Sequence, residues 1–544
     1  MAMPYRSGIF DSIIRLISPL VFLLAYILDP VNSANILGLF AYPGKSHFMV
    51  LKAIMMELAK KGNNVTVVSS HSINEKLENY NELLIDPPLD YWSTIKTELG
   101  YGDMFEMRDM STRETYQMMN LIGFTTTDYF LENNHVKNLI NNAGNQQFDL
   151  IIVEQFFQDA VLMFGKIYKA PVVAINTYSI ENHMSTMMGL VIPWAHSPQD
   201  FLPYCDRMNF WERLHNTFSS LYSEYNRKYN FFPQQHSLIR KHFGHLSEAI
   251  PSMEELEKSV SVLLANNYIP LDIPKPMVMG IVYIGGVHIP PPKNIVWDIK
   301  RFIDDSPRGV IYFSLGTNLK SSDIPQEKLK AILNVFKKLK QRVLWKWEDE
   351  YLPNCPDNVM IKKWIPQSDV LAHPHVNYFI THGGLLSIQE AVYRNVPILG
   401  IPIFGDQHIN MKRATELGFG FKLDYHNLTE ESFSWAINEL ITNPQYSTKM
   451  REISKIFRDR PVGAMHTAIY WIDYVIRHKG GEYLKPAAVD IPWYSLYLID
   501  IILFIGFCIF LSVITIILLV WLIYYIRNRY KENQSYKKII SKEI

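Results

Sequence analysis

The chain has 544 residues, enough for two or three domains with sizeable cores. Lysine plus arginine (53) equals aspartate plus glutamate (53), which excludes the globally basic surface of a nucleic-acid binder. Three cysteines, Cys205, Cys355 and Cys508, are too few for a disulfide framework, and Cys508 falls inside an apolar segment, so at most one pair is open to them.

In chain order, Arg6 and Arg15 stand before an apolar stretch over residues 16–28, and small residues follow at 31–34. That layout predicts a signal peptide over residues 1–33, with a short membrane anchor as the weaker alternative because Pro19 interrupts the stretch. Residues 35–42, a strand-like run, lead into a loop at Pro43-Gly44-Lys45-Ser46-His47. Helical spacing at Val50, Ala53, Ile54 and Leu58 follows, and 65–68 reads as a second buried strand. A βαβ unit at this point predicts a doubly wound parallel sheet with its working residues in loops at the carboxyl ends of strands. Helices are expected near 113–122 and 128–142, then a strand at 148–154, a helix over 159–168 and a strand over 171–176. Residues 178–250 are aromatic and histidine-rich without a clear period; they suit a wall around an apolar acceptor, or an ordinary helical subdomain.

Strand-like runs at 260–265 and 282–286 close the first domain, drawn over 34–289. Pro290-Pro291-Pro292 is the linker, since neither a helix nor a central strand tolerates it. A second domain, 290–490, begins with a strand at 309–314 and ends in a long amphipathic helix over 458–478. Residues 501–526 carry no charge and are long enough to cross a bilayer of roughly 30 Å. The transmembrane helix is therefore drawn over 497–526, with Trp521, Tyr524 and Tyr525 as an interfacial belt and 527–544 as a basic cytosolic tail.

Residues 364–410 carry the densest signal. Tyr378-Phe379-Ile380 is a short strand ending at Thr381-His382-Gly383-Gly384; a helix starts at Leu385 and a second strand covers 397–402. Strand, Gly-Gly turn and helix N-terminus in that order let backbone N–H groups approach a diphosphate. Phe313-Ser314-Leu315-Gly316-Thr317 is a second strand ending in a turn of the same type.

Over its full length this run resembles the signature of the UDP-glycosyltransferase family, which includes the UDP-glucuronosyltransferases, in an insect-like version. The resemblance implies an α/β GT-B fold: two facing Rossmann-like doubly wound domains, here with one C-terminal transmembrane helix. Carried onto this sequence, Ser314, Gly316, Thr317, His382, Gly383 and Gly384 meet the donor diphosphate. Trp364 and Gln367 meet the uracil, by indole stacking and by the amide edge. Ser387 lies on the same helix as Glu390, which accepts from ribose hydroxyls, while Asp406 and Gln407 hold the transferred sugar. Half-buried packing of Trp364 and plain pairing of Glu390 with Arg394 are the bland alternatives. Leu386 departs from the family, where many relatives carry Asn, and one phosphate or cap contact is in doubt there.

The chemistry needs a base to take the acceptor's proton as its oxygen attacks the anomeric carbon. His47, at the family's Ser-His position, is the choice, with a carboxylate to orient it. Asp159 is favoured for that partner; Glu154, at the strand end, is the alternative. Asn64 and Asn427 begin glycosylation sequons, and no metal cluster is apparent at ligand spacing.

The expected function is inverting transfer of a hexose, glucose favoured over glucuronic acid, from a UDP-sugar to a hydroxyl of a small lipophilic acceptor, in detoxification or conjugation. The UDP-sugar is a co-substrate and no cofactor is expected; possible homo-oligomers and no nucleic acid complete the partners. The resemblance implies residence in the endoplasmic reticulum membrane with a lumenal body. A carrier protein that has lost turnover is the alternative, and a polymer-building transferase predicts several membrane helices where the sequence offers one.

Overall fold

A computed structural model describes residues 33–86, 91–246 and 249–543; the expected signal peptide, save its last residue, lies outside them. One compact unit extends to Pro486 and a second comprises Ala487–Ile544.

The first unit is built on two sheets of parallel strands. In chain order the first sheet uses β1 (Asn35–Leu39), β2 (Asn64–Ser69), β3 (Tyr80–Leu84), β4 (Leu150–Glu154), β5 (Val172–Asn176), β6 (Val260–Ala265) and β7 (Ile281–Tyr283), in the spatial order 3-2-1-4-5-6-7. The second uses β8 (Val310–Ser314), β9 (Arg342–Lys346), β10 (Val359–Lys362), β11 (Val376–Thr381), β12 (Ile398–Gly400) and β13 (Gly420–Lys422), ordered 10-9-8-11-12-13. Central strands are buried along their whole length (LIIVE in β4, VIYFS in β8), as sheets covered by helices on both faces require. In each sheet the order reverses beside the first strand, and the crevice at such a switch point is where α/β folds place ligands.

Several elements differ from their sequence reading for local reasons. The helices near 113–142 divide into Thr112–Glu132, which starts on a capping box at Ser111, and Asn134–Asn141, which starts on the side chain of Asn133. The expected helix over 159–168 begins as a 3-10 turn, Asp159–Leu162, and only then becomes α-helical at Met163–Tyr168. The helix expected over 458–478 is two helices, Pro444–Arg458 and Ala464–His478. Pro461, which has no N–H to donate and disfavours helix at the preceding residue, stands in the break.

The second of these helices also changes the domain division. Ala468, Ile469, Ile472 and Val475 are buried with Ile36, Val50, Ile54 and Leu264, so Ala464–His478 covers the first sheet although it follows the second in sequence. The structural boundary of the second domain therefore falls near 458, not 490.

A buried amide ties the two sheets together. Gln389, on helix Leu385–Arg394, donates from Nε2 to the carbonyl of Asn266 (2.6 Å) and accepts the N–H of Gly286 at Oε1 (2.8 Å). Leu386, the departure from the family pattern, packs against the apolar cluster of the first sheet. An apolar residue there serves the junction between the sheets.

In the second unit, helix Ile499–Glu543 is long and apolar enough to cross a membrane, and its apolar side chains over 501–526 are exposed along the whole stretch. At about 1.5 Å per residue those 26 residues span roughly 39 Å. The helix continues without interruption through the basic segment drawn as a tail.

Gln389→Leu should remove both junction hydrogen bonds and orphan a buried N–H and a buried carbonyl, lowering stability by about 1–3 kcal/mol in urea unfolding.

Candidate active site

Two loops of the second sheet begin at the same height. Adjacent parallel strands β8 and β11 pair Ser314 with Thr381, so the turns after them leave the sheet side by side. Each is closed by its own hydroxyl: the N–H of Gly316 donates to Ser314 Oγ and that of Gly383 to Thr381 Oγ1, both at 3.2 Å. Gly316 (φ +85°) and Gly383 (φ +88°) are left-handed, a conformation most side chains avoid. Half-buried His382 packs between Gly316 and Gly384; a Cβ on either glycine would lie 2.5–2.6 Å from its ring. Burial, with the charge of Lys346 behind it, pushes His382 down to about 4, so its imidazole is neutral. The two turns expected to meet a diphosphate thus lie side by side, with Thr381 closing the second and the charge of Lys346 reaching His382. Lys346, at the end of β9, is paired with Glu348 at 2.6 Å. Its signal was available as a lysine closing the strand next to the Ser-x-Gly turn.

Trp364 lies in the turn after β10 and is 46% exposed. The Gln367 side chain departs from its expected role at the uracil edge. Its Oε1 accepts from Tyr312 Oη (3.2 Å), and its Nε2 donates to Ser387 Oγ (3.0 Å) and Glu390 Oε2 (2.5 Å). Both ends of the amide are engaged inside the protein, where they orient Glu390. Burial raises Glu390 to about 7 against the pull of Gln367 and Arg394.

Asp406 and Gln407 start helix Gln407–Leu417. Gln407 Oε1 accepts the N–H groups of Ile403 (2.8 Å) and Phe404 (3.2 Å), which fixes the loop. Asp406 accepts from Asn410 Nδ2 at 2.8 Å, and the same amide donates to the Gly383 carbonyl at 3.1 Å, linking the sugar loop to the phosphate loop. Burial raises Asp406 to about 6, opposed by Asn410 and by the charge of His47 from the first sheet.

His47 sits in the first turn of helix Lys45–Lys60, walled by Tyr42, Phe156 and Tyr178 at ring-centroid distances of 4.6, 4.7 and 6.1 Å. Its carboxylate partner is Glu154, not the favoured Asp159. His47 Nδ1 lies 2.6 Å from Glu154 Oε1, at the end of β4, and Thr177, at the end of β5, donates its hydroxyl to the same oxygen at 2.8 Å. Parallel register explains the choice, because β1, β4 and β5 are neighbours and their carboxyl ends meet at one point. Asp159 faces the other way. Its oxygens accept from Gln155 Nε2 (2.7 Å) and Arg227 Nη2 (2.6 Å), and Arg227 also pairs with Glu257.

Between the two sheets an open cleft is lined by Tyr178, Glu181, Asp200, Asp406, Asn410 and Arg413 among others. Among the described residues Asp128, Glu132 and His242 come within metal-ligand distance of one another, but Lys241 already bridges the two carboxylates at 2.8 and 3.0 Å. The sequon residues Asn64 and Asn427 are both exposed.

Asp159→Ala should cost about 3–5 kcal/mol in denaturant unfolding by leaving Arg227 under-compensated in the interior. Glu390 supplies a pH test. Its folded pKa of about 7 lies above its unfolded value, so the stability it contributes is complete at acid pH and is lost as pH rises through 7. Glu390→Gln removes that loss, and its melting temperature relative to the parent should climb between pH 5 and pH 8.

Sequence comparison gives 37% identity over 488 residues with UDP-glycosyltransferase UGT5 of Dactylopius coccus, covering 89% of this chain and 91% of that protein. UDP-glucosyltransferase 2 of the same organism is 31% identical (90% and 94% covered), and human UDP-glucuronosyltransferase 2B7 is 28% identical (85% and 88%). Among solved structures, the calicheamicin glycosyltransferase CalG4 superposes with a TM-score of 0.54 at 17% identity, covering 82% of this chain and 99% of its own, a likeness of fold. Residues 39–534 match the family described as UDP-glucoronosyl and UDP-glucosyl transferase, and with the GT-B architecture above the chain belongs to that family of UDP-glycosyltransferases.

Proposed function

We propose that this enzyme transfers glucose, with inversion, from UDP-glucose to a hydroxyl of a small lipophilic acceptor, in conjugation or detoxification. The observation that carries the reading is the His47–Glu154 pair at 2.6 Å, set in the first domain and facing the sugar-loop carboxylate Asp406 of the second. Glu154 holds the proton on Nδ1, which leaves Nε2 as the base and stabilises the imidazolium once it forms. The acceptor hydroxyl gives its proton to Nε2 as its oxygen attacks the anomeric carbon; the bond from that carbon to the β-phosphate oxygen breaks and UDP departs. The developing charge on the diphosphate meets the N–H groups of the Ser314–Thr317 and His382–Gly384 turns, with the Lys346 ammonium behind them. Trp364 stacks the uracil, the Glu390 carboxyl meets the ribose hydroxyls, and Asp406 with Gln407 Nε2 grips the sugar hydroxyls. No cofactor enters this scheme.

The charges that bear most on Asp406 include those of His47 and Glu181 but no lysine or arginine, and Arg413 in the same cavity is engaged by the carbonyls of Pro270 and Asp272. A glucuronate carboxylate would therefore bring a second anion up to Asp406, which favours glucose. The apolar helix of the second unit supports a single-pass arrangement with the body in the lumen of the endoplasmic reticulum, where Asn64 and Asn427 are open to glycosylation.

His47→Ala should lower kcat by about 10²–10⁴-fold while UDP still binds, and Glu154→Gln should lower kcat more than it changes KM. Unchanged turnover in His47→Ala would remove the base from this scheme. With labelled UDP-glucose and UDP-glucuronate in competition, label should pass from the glucose donor; preferential transfer of glucuronate would reverse the donor assignment.

A further inference from the structure

Lys45 stands where local forces disfavour a cation. It is the first residue of helix Lys45–Lys60, at the positive end of the helix dipole, and the first turn holds no acidic residue. Though the residue is exposed, local desolvation and the charge of Lys346 both press it toward the neutral form, and among the described residues it has no ion-pair partner. What holds it is the indole of Trp364 from the opposite domain, with Nζ 3.5 Å from the ring centroid. Trp364 is the proposed uracil platform, so a cation from the base-bearing helix covers the surface on which a nucleobase would stack. Lys346, whose charge reaches both Lys45 and His382, places Lys45 in the same electrostatic neighbourhood as the two diphosphate turns.

We propose that Lys45 is a donor-exchanged gate residue: the uracil displaces its ammonium from Trp364, and the ammonium then moves onto the donor diphosphate. This inference rests on the uracil-platform reading of Trp364. An anion within reach of a flexible lysine stem satisfies a charge that otherwise faces an aromatic ring. The exchange makes the nucleoside alone a poor ligand, because it must evict the cation without offering it a phosphate. The diphosphate supplies that second step, and Lys45 lies on the helix that carries His47, so donor binding engages the base-bearing domain directly.

The test compares uridine with UDP on the full-length protein in detergent by isothermal titration calorimetry at fixed salt. In Lys45→Met, uridine affinity should hold or rise up to about fivefold while UDP affinity falls about 5–20-fold, so the UDP-to-uridine ratio drops at least fivefold. Lys45→Arg should restore the ratio to within about twofold of the parent, which a purely structural role for the side chain would not predict; Lys45→Gln repeats the loss with a polar isostere. A ratio in Lys45→Met within twofold of the parent overturns the proposal. Trp364→Ala separates the underlying reading: if uridine binding is untouched there, the platform assignment fails and this proposal with it. If uridine binding is lost there while Lys45→Met keeps its ratio, only the gate fails.

Discussion

One register underlies the donor half of the molecule: Ser314 opposite Thr381 on two adjacent parallel strands. Because β8 and β11 are hydrogen-bonded at that level, the turns that follow emerge together, and residues nearly seventy positions apart in sequence form one backbone cradle. Each turn then closes on its own hydroxyl, and a neutral histidine between two glycines fills the gap. A one-residue slip would turn Ser314 to the opposite face of the sheet and dissolve the cradle. The rest of the site is arranged around this point: Asn410 bonds the Asp406 loop to the Gly383 carbonyl, and Glu390, on the helix that the second turn opens, accepts from Gln367 of the helix Gln367–Leu371.

The first sheet supplies its half by the same geometry with different residues. His47, Glu154 and Thr177 follow or end three neighbouring strands, and no two of them are close in sequence. Parallel strands gather their carboxyl-terminal residues on one edge, so catalytic partners can come from anywhere along the chain provided each ends a strand. The glutamate side chain is long enough to reach the imidazole from that position, while Asp159, beyond the strand end, finds a guanidinium in the helical layer.

The strands, the two phosphate-type turns and the motif from 364 to 410 were legible in the sequence because buried parallel strands are continuous apolar runs and glycine turns punctuate them. Side-chain commitments were less so. Gln367 has the chemistry to read a base edge and equally to orient Glu390, and only the position of Tyr312 and Ser387 decides between them. Asp159 and Glu154 are separated by a tertiary contact with Arg227, which lies 68 residues downstream of Asp159. The path of the helix Ala464–His478 was hidden for a similar reason: its apolar face announces burial without saying under which sheet. Leu386 looked like a gap in a motif and is an apolar contact between the domains.

That helix has a mechanical consequence. The chain leaves the first sheet after β7, builds the whole second sheet and returns after Asp459, so the second sheet is an insertion within the domain of the first. The outgoing and returning strands of this connection touch: a Cβ on Gly286 would lie 3.3 Å from the Phe457 ring, and Tyr268 Oη donates to the Asp459 carbonyl at 3.4 Å beneath the guanidinium of Arg460. Two adjacent crossings resist relative twist and sliding of the two sheets more than a single linker would. Any change in the separation of the sheets has to bend both crossings together.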